Sequence, residues 1–391
     1  HQLRSNMIKR QNRNPQIRQH IQGMSLPEIL AGVLIGLIGM VVIMQVYTAS
    51  EERKRTPTGT SDAQINGNIA TFSLQGAIRS AGFGLVSPNS SMVGCTTVAY
   101  NSDRATPDYN FLMVPVVIAP GGTDFDPATG VPVGVPDGTS DQIRVIYGSS
   151  PTLVEGVKLA DSSVLGANFS VDNGGAGFQK GDLVVASQAG INCTLAEVTE
   201  VVGASLTRAT AVAYSYEIGL PPTTLVINRT STQNKGGGSG VDYTADARLF
   251  SLGRTPVLVT YLVGNDKLQS KMLIPYVAAQ DMDGDGTMDA DIGDAIVQLK
   301  ALYGKDTSAP PDGVPDLWDA TPANWQQIIA VRIALLARSA KLEKTVVTVD
   351  PPTWNGGTDF AMVDLADGTD WHQYRYRVYE TVIPLRNMIW S

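Results

Sequence analysis

No acidic residue precedes Glu28, although Arg4, Lys9, Arg10, Arg13 and Arg18 all fall in that stretch. Charge is sparse throughout, at 17% of 391 residues against 43% hydrophobic, which excludes a disordered polyelectrolyte. The formal net charge is −8, and setting the basic leader aside makes the remainder more acidic still. Nucleic-acid binding is therefore disfavoured. Histidine is scarce: His1 and His20 precede Glu28, leaving His372 alone in the rest. Cys–His or Ser–His–Asp catalysis would have to rest on that one residue. It stands beside Trp371 in a segment that reads as strand and as structural. No phosphate-binding loop, dinucleotide fingerprint or zinc spacing occurs, so no enzyme is expected.

Cysteine is nearly absent as well. Cys95 and Cys193 stand far apart and match no metal or redox spacing. If the body lies outside the cytoplasm, a single disulfide between them is the leading reading, and two buried free thiols the alternative. By contrast there are 39 Gly and 22 Pro, which favour short strands joined by turns and long loops.

Residues 29–50 carry no charge, and 29–44 are almost wholly apolar. That length spans a bilayer as a helix. The basic leader puts the N-terminus in the cytoplasm and the body outside. A secretory signal peptide would place its cleavage site after the apolar run. Here the informative residues come before it: Gly23-Met24-Ser25-Leu26-Pro27-Glu28. This segment resembles the processing site of type IV pilins. The resemblance implies cleavage after Gly23 by a prepilin peptidase, methylation of the new terminus at Met24, and pairing of Glu28 with a neighbouring subunit's amino terminus during assembly. Because the chain opens on His1, Met7 is another start for the leader. Three regions follow: a leader over 1–23, a transmembrane and assembly helix over 24–55, and a periplasmic body over 56–391.

Within the body, Thr56-Pro57-Thr58-Gly59-Thr60 reads as a helix breaker. A second helix is expected over about 61–81, with Ile65, Ile69, Phe72 and Ile78 forming the face that packs on a sheet and Gly82 closing it in a left-handed conformation. Val331, Ile333 and Leu335 alternate with Arg332, Ala334 and Leu336, which suits a strand, whereas Leu, Ala and Arg favour helix; a strand after a helical turn near Trp325 is expected in part from the pilin resemblance. Tyr374, Tyr376 and Val378 alternate likewise. Residues 231–240, rich in Gly, read as a flexible loop dividing the sheet region into halves.

Several of these segments, in order, resemble the PilW family of minor pilins. They are Ile78-Arg79-Ser80-Ala81-Gly82-Phe83-Gly84-Leu85 and Ser140-Asp141-Gln142-Ile143-Arg144-Val145-Ile146-Tyr147-Gly148. Phe178, Gly181-Asp182-Leu183-Val184, Cys193 and Val198-Thr199 come next, then Tyr303-Gly304-Lys305-Asp306. Trp325, the run Val331 to Ser339 and Pro384-Leu385-Arg386-Asn387 complete the set. The resemblance implies an α+β, pilin-like fold: a long N-terminal transmembrane helix packed on antiparallel β-sheet with large loops. It further implies a minor pilin that helps initiate type IV pilus assembly, in a tip complex with other minor and major pilins and a calcium-dependent tip adhesin. The location would be the bacterial inner membrane, then the pilus tip. The rival readings are a type II secretion pseudopilin and a membrane-tethered calcium-dependent adhesin.

One local motif carries chemistry. Asp281, Asp283, Asp285 and Asp289 take positions 1, 3, 5 and 9 of a calcium loop, with Gly286 at the turn and the Thr287 carbonyl as a further ligand. Position 12 is Ile292, so Asp291 or Asp294 would substitute and affinity would be weak. A helix is expected to leave the loop over 291–302. Calcium there would be structural, and the alternative is an acidic solvated turn that binds nothing specific. The second acidic stretch, Asp306 to Asp319, reads as a structural loop.

Overall fold

In the computed structural model the described residues are 25–85, 91–150, 156–171, 177–202, 223–226, 231–281, 287–357, 359–364, 368 and 370–389. The chain divides into two compact units, His1–Pro57 and Thr58–Ser391. Helix α1 covers Leu26–Ser80. The break expected at 56–60 is absent, because the backbone stays helical through Pro57 and Gly59. A proline removes one donor and crowds one carbonyl, a local cost that helix on both sides can carry. At its far end Gly82 and Gly84 take φ of 78° and 76°, and Gly82 N donates to Ile146 O at 2.9 Å.

Among the described residues the rest is mostly β, in five sheets that are antiparallel apart from one pair. A five-stranded sheet runs β16 (Met288–Asp294), β15 (Lys267–Ile274), β14 (Val257–Gly264), β6 (Gln142–Tyr147) and β3 (Val116–Ala119). A four-stranded sheet runs β18 (Leu317–Asp319), β17 (Ile296–Lys305), β19 (Ile328–Arg338) and β20 (Tyr376–Pro384). Together these two bury one face of α1 in the main core, where Ile143, Val145, Val259, Leu299, Ile333 and Leu335 meet Ala70, Leu74 and Ile78.

Of the helix face expected to pack, Ile78 alone is buried. Ile65, Ile69 and Phe72 are exposed, while Ala63, Ala70, Leu74, Ala77, Ile78 and Ala81 are buried. Close approach explains the choice. A Cβ on Gly293 would lie 3.2 Å from the Ala70 Cβ, so only small residues let the helix reach β16.

A six-stranded sheet runs β2 (Asp108–Met113), β1 (Cys95–Tyr100), β10 (Cys193–Glu197), β9 (Leu183–Ser187), β13 (Arg248–Gly253) and β7 (Val157–Lys158). It is buried on both faces. Leu183 and Val185 join a core with Ile146 and Leu258, while Val184 and Ala186 join one with Phe169 and Leu225. Two-sided burial is why β9 reads as an unbroken apolar run rather than an alternating one. The second of these cores is covered by the sheet β11 (Glu200–Val202), β12 (Thr223–Val226) and β8 (Asn168–Val171). A hairpin of β4 (Thr123–Phe125) and β5 (Pro132–Gly134) completes the set.

Two further expectations change. The loop at 231–240 does not divide the sheets, since β13 after it pairs with β9 before it, and β14 with β6. Its Asn234 instead clamps β10, accepting from Glu197 N and donating to Glu197 O, each at 2.8 Å. The helix expected over 291–302 is absent: 288–294 and 296–305 are strands joined at Ala295, whose φ is 60°. β17 pairs with β19 over nine positions, and that long-range ladder overrides local helix preference.

Candidate functional site

Ser25 caps α1: its carbonyl accepts from Glu28 N at 2.9 Å and Ile29 N at 3.2 Å. The Glu28 carboxylate reaches back to accept from Ser25 N at 3.3 Å and Ser25 Oγ at 3.4 Å. This is the glutamate half of a capping box, and it places a negative charge in the first turn, where the helix dipole favours it. Pro27 fits because first-turn amides need no intrahelical acceptor. From Leu26 to Thr48 the helix is apolar, unburied and long enough to cross a membrane. Gly23 and Met24 lie outside the described residues.

The acidic loop is described only at its ends, because Asp283 and Asp285 lie outside the described residues. Asp281 accepts from the Tyr276 hydroxyl at 2.9 Å. Thr287 is buried, and Asp289 lies on β16 with its carboxylate 3.6 Å from Lys271 Nζ. Asp291 is turned to Lys267 at 2.6 Å and Gln269 at 2.9 Å, and its carboxyl is held below its ordinary range chiefly by the Lys267 hydrogen bond. Asp294 also faces Lys267, at 3.5 Å. Both candidate substitutes for position 12 are thus engaged on a strand rather than carried back by an exiting helix. Among the described residues no group of three metal-ligating side chains converges.

Cys95 and Cys193 are joined by a disulfide, with Cα atoms 5.8 Å apart. They head β1 and β10, which pair in parallel with Thr97 opposite Cys193. His372 sits in a single 3-10 turn, Trp371–Gln373, not in a strand. Its ring stacks on Trp371 with centroids 3.7 Å apart, and Nδ1 meets Asp370 Oδ1 at 2.5 Å. Asp370 caps that turn and its carboxyl is held low by the His372 amide and ring. In the second acidic stretch, Asp306 accepts from Ser308 N and Gly313 N, and Asp316 accepts from Thr307 and Ser308. These carboxylates tie their own loop.

Sequence reasoning missed a cavity of about 360 Å³ lined by Arg104, Arg144 and Lys271. Its residues come from scattered segments, and strand register alone brings them together. The one legible signal was Arg144, a charge inside an otherwise apolar strand.

No curated protein and no solved structure matches the chain. Residues 260–387, from within β14 to the start of the C-terminal turn of helix, match the family model described as type IV pilus-assembly protein W. Over those residues the chain is similar to the PilW family, and that similarity points to type IV pilus assembly.

Proposed function

We propose that this chain is a minor pilin that helps initiate type IV pilus assembly within a tip complex of other minor and major pilins. The observation that carries the reading is an unburied apolar helix opening on Ser25 and Glu28, on the same chain as the PilW-family segment. On this reading a prepilin peptidase cuts between Gly23 and Met24. The apolar segment stores the subunit in the inner membrane and later packs in the filament, and Glu28 sets its register there by pairing with a neighbour's amino terminus. The Glu28 carboxylate accepts from the Ser25 amide, so it lies at the N-terminal end of the helix. The body stands in the periplasm and meets its partners, a calcium-dependent tip adhesin among them.

We propose also that 281–289 holds a calcium ion that fixes the loop feeding β16. The support is the spacing of the four aspartates and the seating of the ends, Asp281 on Tyr276 and Asp289 beside Lys271. The carboxylates repel one another, and a hard cation relieves that repulsion.

Glu28→Ala tests the assembly role. Surface pili should be lost while the chain still accumulates in the inner membrane. Unchanged piliation would contradict it.

A further inference from the structure

The four-stranded sheet ends on a long open edge. β20 is nine residues long and pairs with β19 at every position, from Pro384 opposite Ala330 to Tyr376 opposite Arg338. Bonds at both ends fix the phase of the ladder: Leu385 N donates to Ile329 O, and Ser339 N donates to Arg375 O, each at 2.8 Å. Bonded pairs alternate along an antiparallel ladder, so Arg377, Tyr379, Thr381 and Ile383 turn their backbone groups to β19. Tyr376, Val378, Glu380 and Val382 therefore turn theirs the other way. Among the described residues no donor or acceptor meets those outward N–H and C=O groups.

Other edges are covered, bulged or short. On β2, a Cβ at Gly130 would stand 2.3 Å from the Phe111 Cα, so the loop lies against that backbone. On β3, the Tyr303 hydroxyl accepts from Ile118 N. The register of β16 shifts between Gly293 and Asp291, and the strand carries Asp289, Asp291 and Asp294. β7 and β18 have two and three residues. Cover, bulges, charge and shortness are how proteins keep edges from pairing. Along β20 the Glu380 carboxylate is engaged, 3.8 Å from Arg332 Nε and accepting from Asn355 Nδ2 at 2.8 Å. Arg377 is exposed, and among the described residues no carboxylate pairs with it. Val382 is 45% exposed.

The free groups define what fits. Alternating backbone donors and acceptors along an edge are met by an extended peptide. A second copy is excluded. Two copies of one edge meet symmetrically only antiparallel, about an axis normal to the sheet. That axis would reverse α1, which packs on the face of the sheet with Gly67 against Tyr379. The residues leading to the two apolar segments would then leave at opposite ends, and both could not enter one membrane. Toward a newcomer, Arg377 sits between outward-bonding residues, where facing side chains come closest. An acidic residue opposite it completes the pair that β20 lacks.

We propose that the outer edge of β20, residues 376–382, takes up an extended segment of a different protein as an added strand. That segment has an acidic residue beside Arg377 and apolar residues beside Val378 and Val382. The proposal does not rest on the assembly reading, because backbone protection rather than piliation reports it.

The test is hydrogen exchange of the full chain, read at single amides, alone in detergent micelles and in the assembly isolated from its own membrane. In the isolated chain the amides of Val378, Glu380 and Val382 should exchange freely, while those of Arg377, Tyr379 and Thr381 are slow. In the assembly the first three should slow by about a hundredfold or more. Val382→Pro removes one outward donor and leaves the β19 ladder intact, so it should lower the protection of Val378 and Glu380 by about five- to tenfold. Val382→Ala keeps that donor and should leave the protection nearly unchanged. Arg377→Glu, at an exposed position, should also lower it, and carries the test if the proline variant fails to fold. Protection of the outward amides in the isolated monomer would overturn the proposal, and so would a dimer of the isolated chain that protects them. No added protection in the assembly would overturn it too, as would full protection in folded Val382→Pro or Arg377→Glu.

Discussion

The ring of Tyr379, on β20, lies directly against Gly67 of α1, so close that a Cβ on the glycine would overlap ring atoms Cε2, Cζ and Cδ2. The same tyrosine donates its hydroxyl to Ala63 O, one turn earlier, at 3.4 Å. Helix and four-stranded sheet are therefore keyed by a missing side chain. Two effects compete in Gly67→Ala, which gains about 1 kcal/mol of helix propensity but must displace the ring. Gly67→Val adds bulk without that gain and should destabilise the body by about 1–3 kcal/mol through overpacking. Tyr379→Ala should relieve most of that penalty. A double-mutant cycle in denaturant measures the coupling, and additive effects would show that the contact is not what limits the glycine.

The disulfide closes a loop of 98 residues between two neighbouring parallel strands. Chain-entropy reasoning gives a cross-link of that span about 4–5 kcal/mol. Cys95→Ala with Cys193→Ala should lower the unfolding midpoint accordingly, and a reductant should do the same to the wild type alone. Equal midpoints with and without reductant would show that the bridge adds nothing.

Lys300 and Asp141 form a buried clamp. Lys300 Nζ donates to the carbonyls of Gly138 and Thr139 and lies 3.8 Å from Asp141 Oδ1. Asp141 in turn accepts from Gly121 N at 2.9 Å and Ala301 N at 2.8 Å, tying the segment before β6 to β17. Lys300→Met leaves that carboxylate buried without its cation and should cost about 3–5 kcal/mol. The pH dependence has a definite sign. Burial raises the Asp141 carboxyl above 3.8, with Lys300 opposing. The folded state therefore holds a proton that the unfolded state has released, and the contribution of this group to stability falls as pH rises through that window. Removing Lys300 raises the carboxyl further, so the deficit of the variant should be smaller in acid than at neutrality. A deficit independent of pH would mean that Asp141 does not titrate there.

Part of the β architecture was legible in residue alternation along single strands. Val331, Ile333 and Leu335 of β19 join the helix core while Ala334 and Leu336 join a second cluster with Trp354 and Phe360, so this strand is buried on both faces and its alternation alone left helix and strand open. The capping glycine Gly82 and the strand of β20 were legible for similarly local reasons. Features set by tertiary contacts were not. Bulk made Ile65, Ile69 and Phe72 look like the packed face of α1, whereas close helix–sheet approach selected alanine and glycine. Ile292, Ala295, Ile296 and Leu299 recur at helical spacing, yet an open edge on β15 and a long partner in β19 drew them into two strands. The row from Arg144 through Thr260 and Lys271 to Asp289 exists only through three strand registers. No single segment contains it.

On the proposed function this chain is processed as a pilin and anchored by the helix that Ser25 and Glu28 begin. Mass spectrometry of the N-terminal peptide of the native protein, taken from its own membrane, tests it most directly. The account predicts a chain that starts at an N-methylated Met24. A peptide that retains the basic leader joined to Met24 would contradict it.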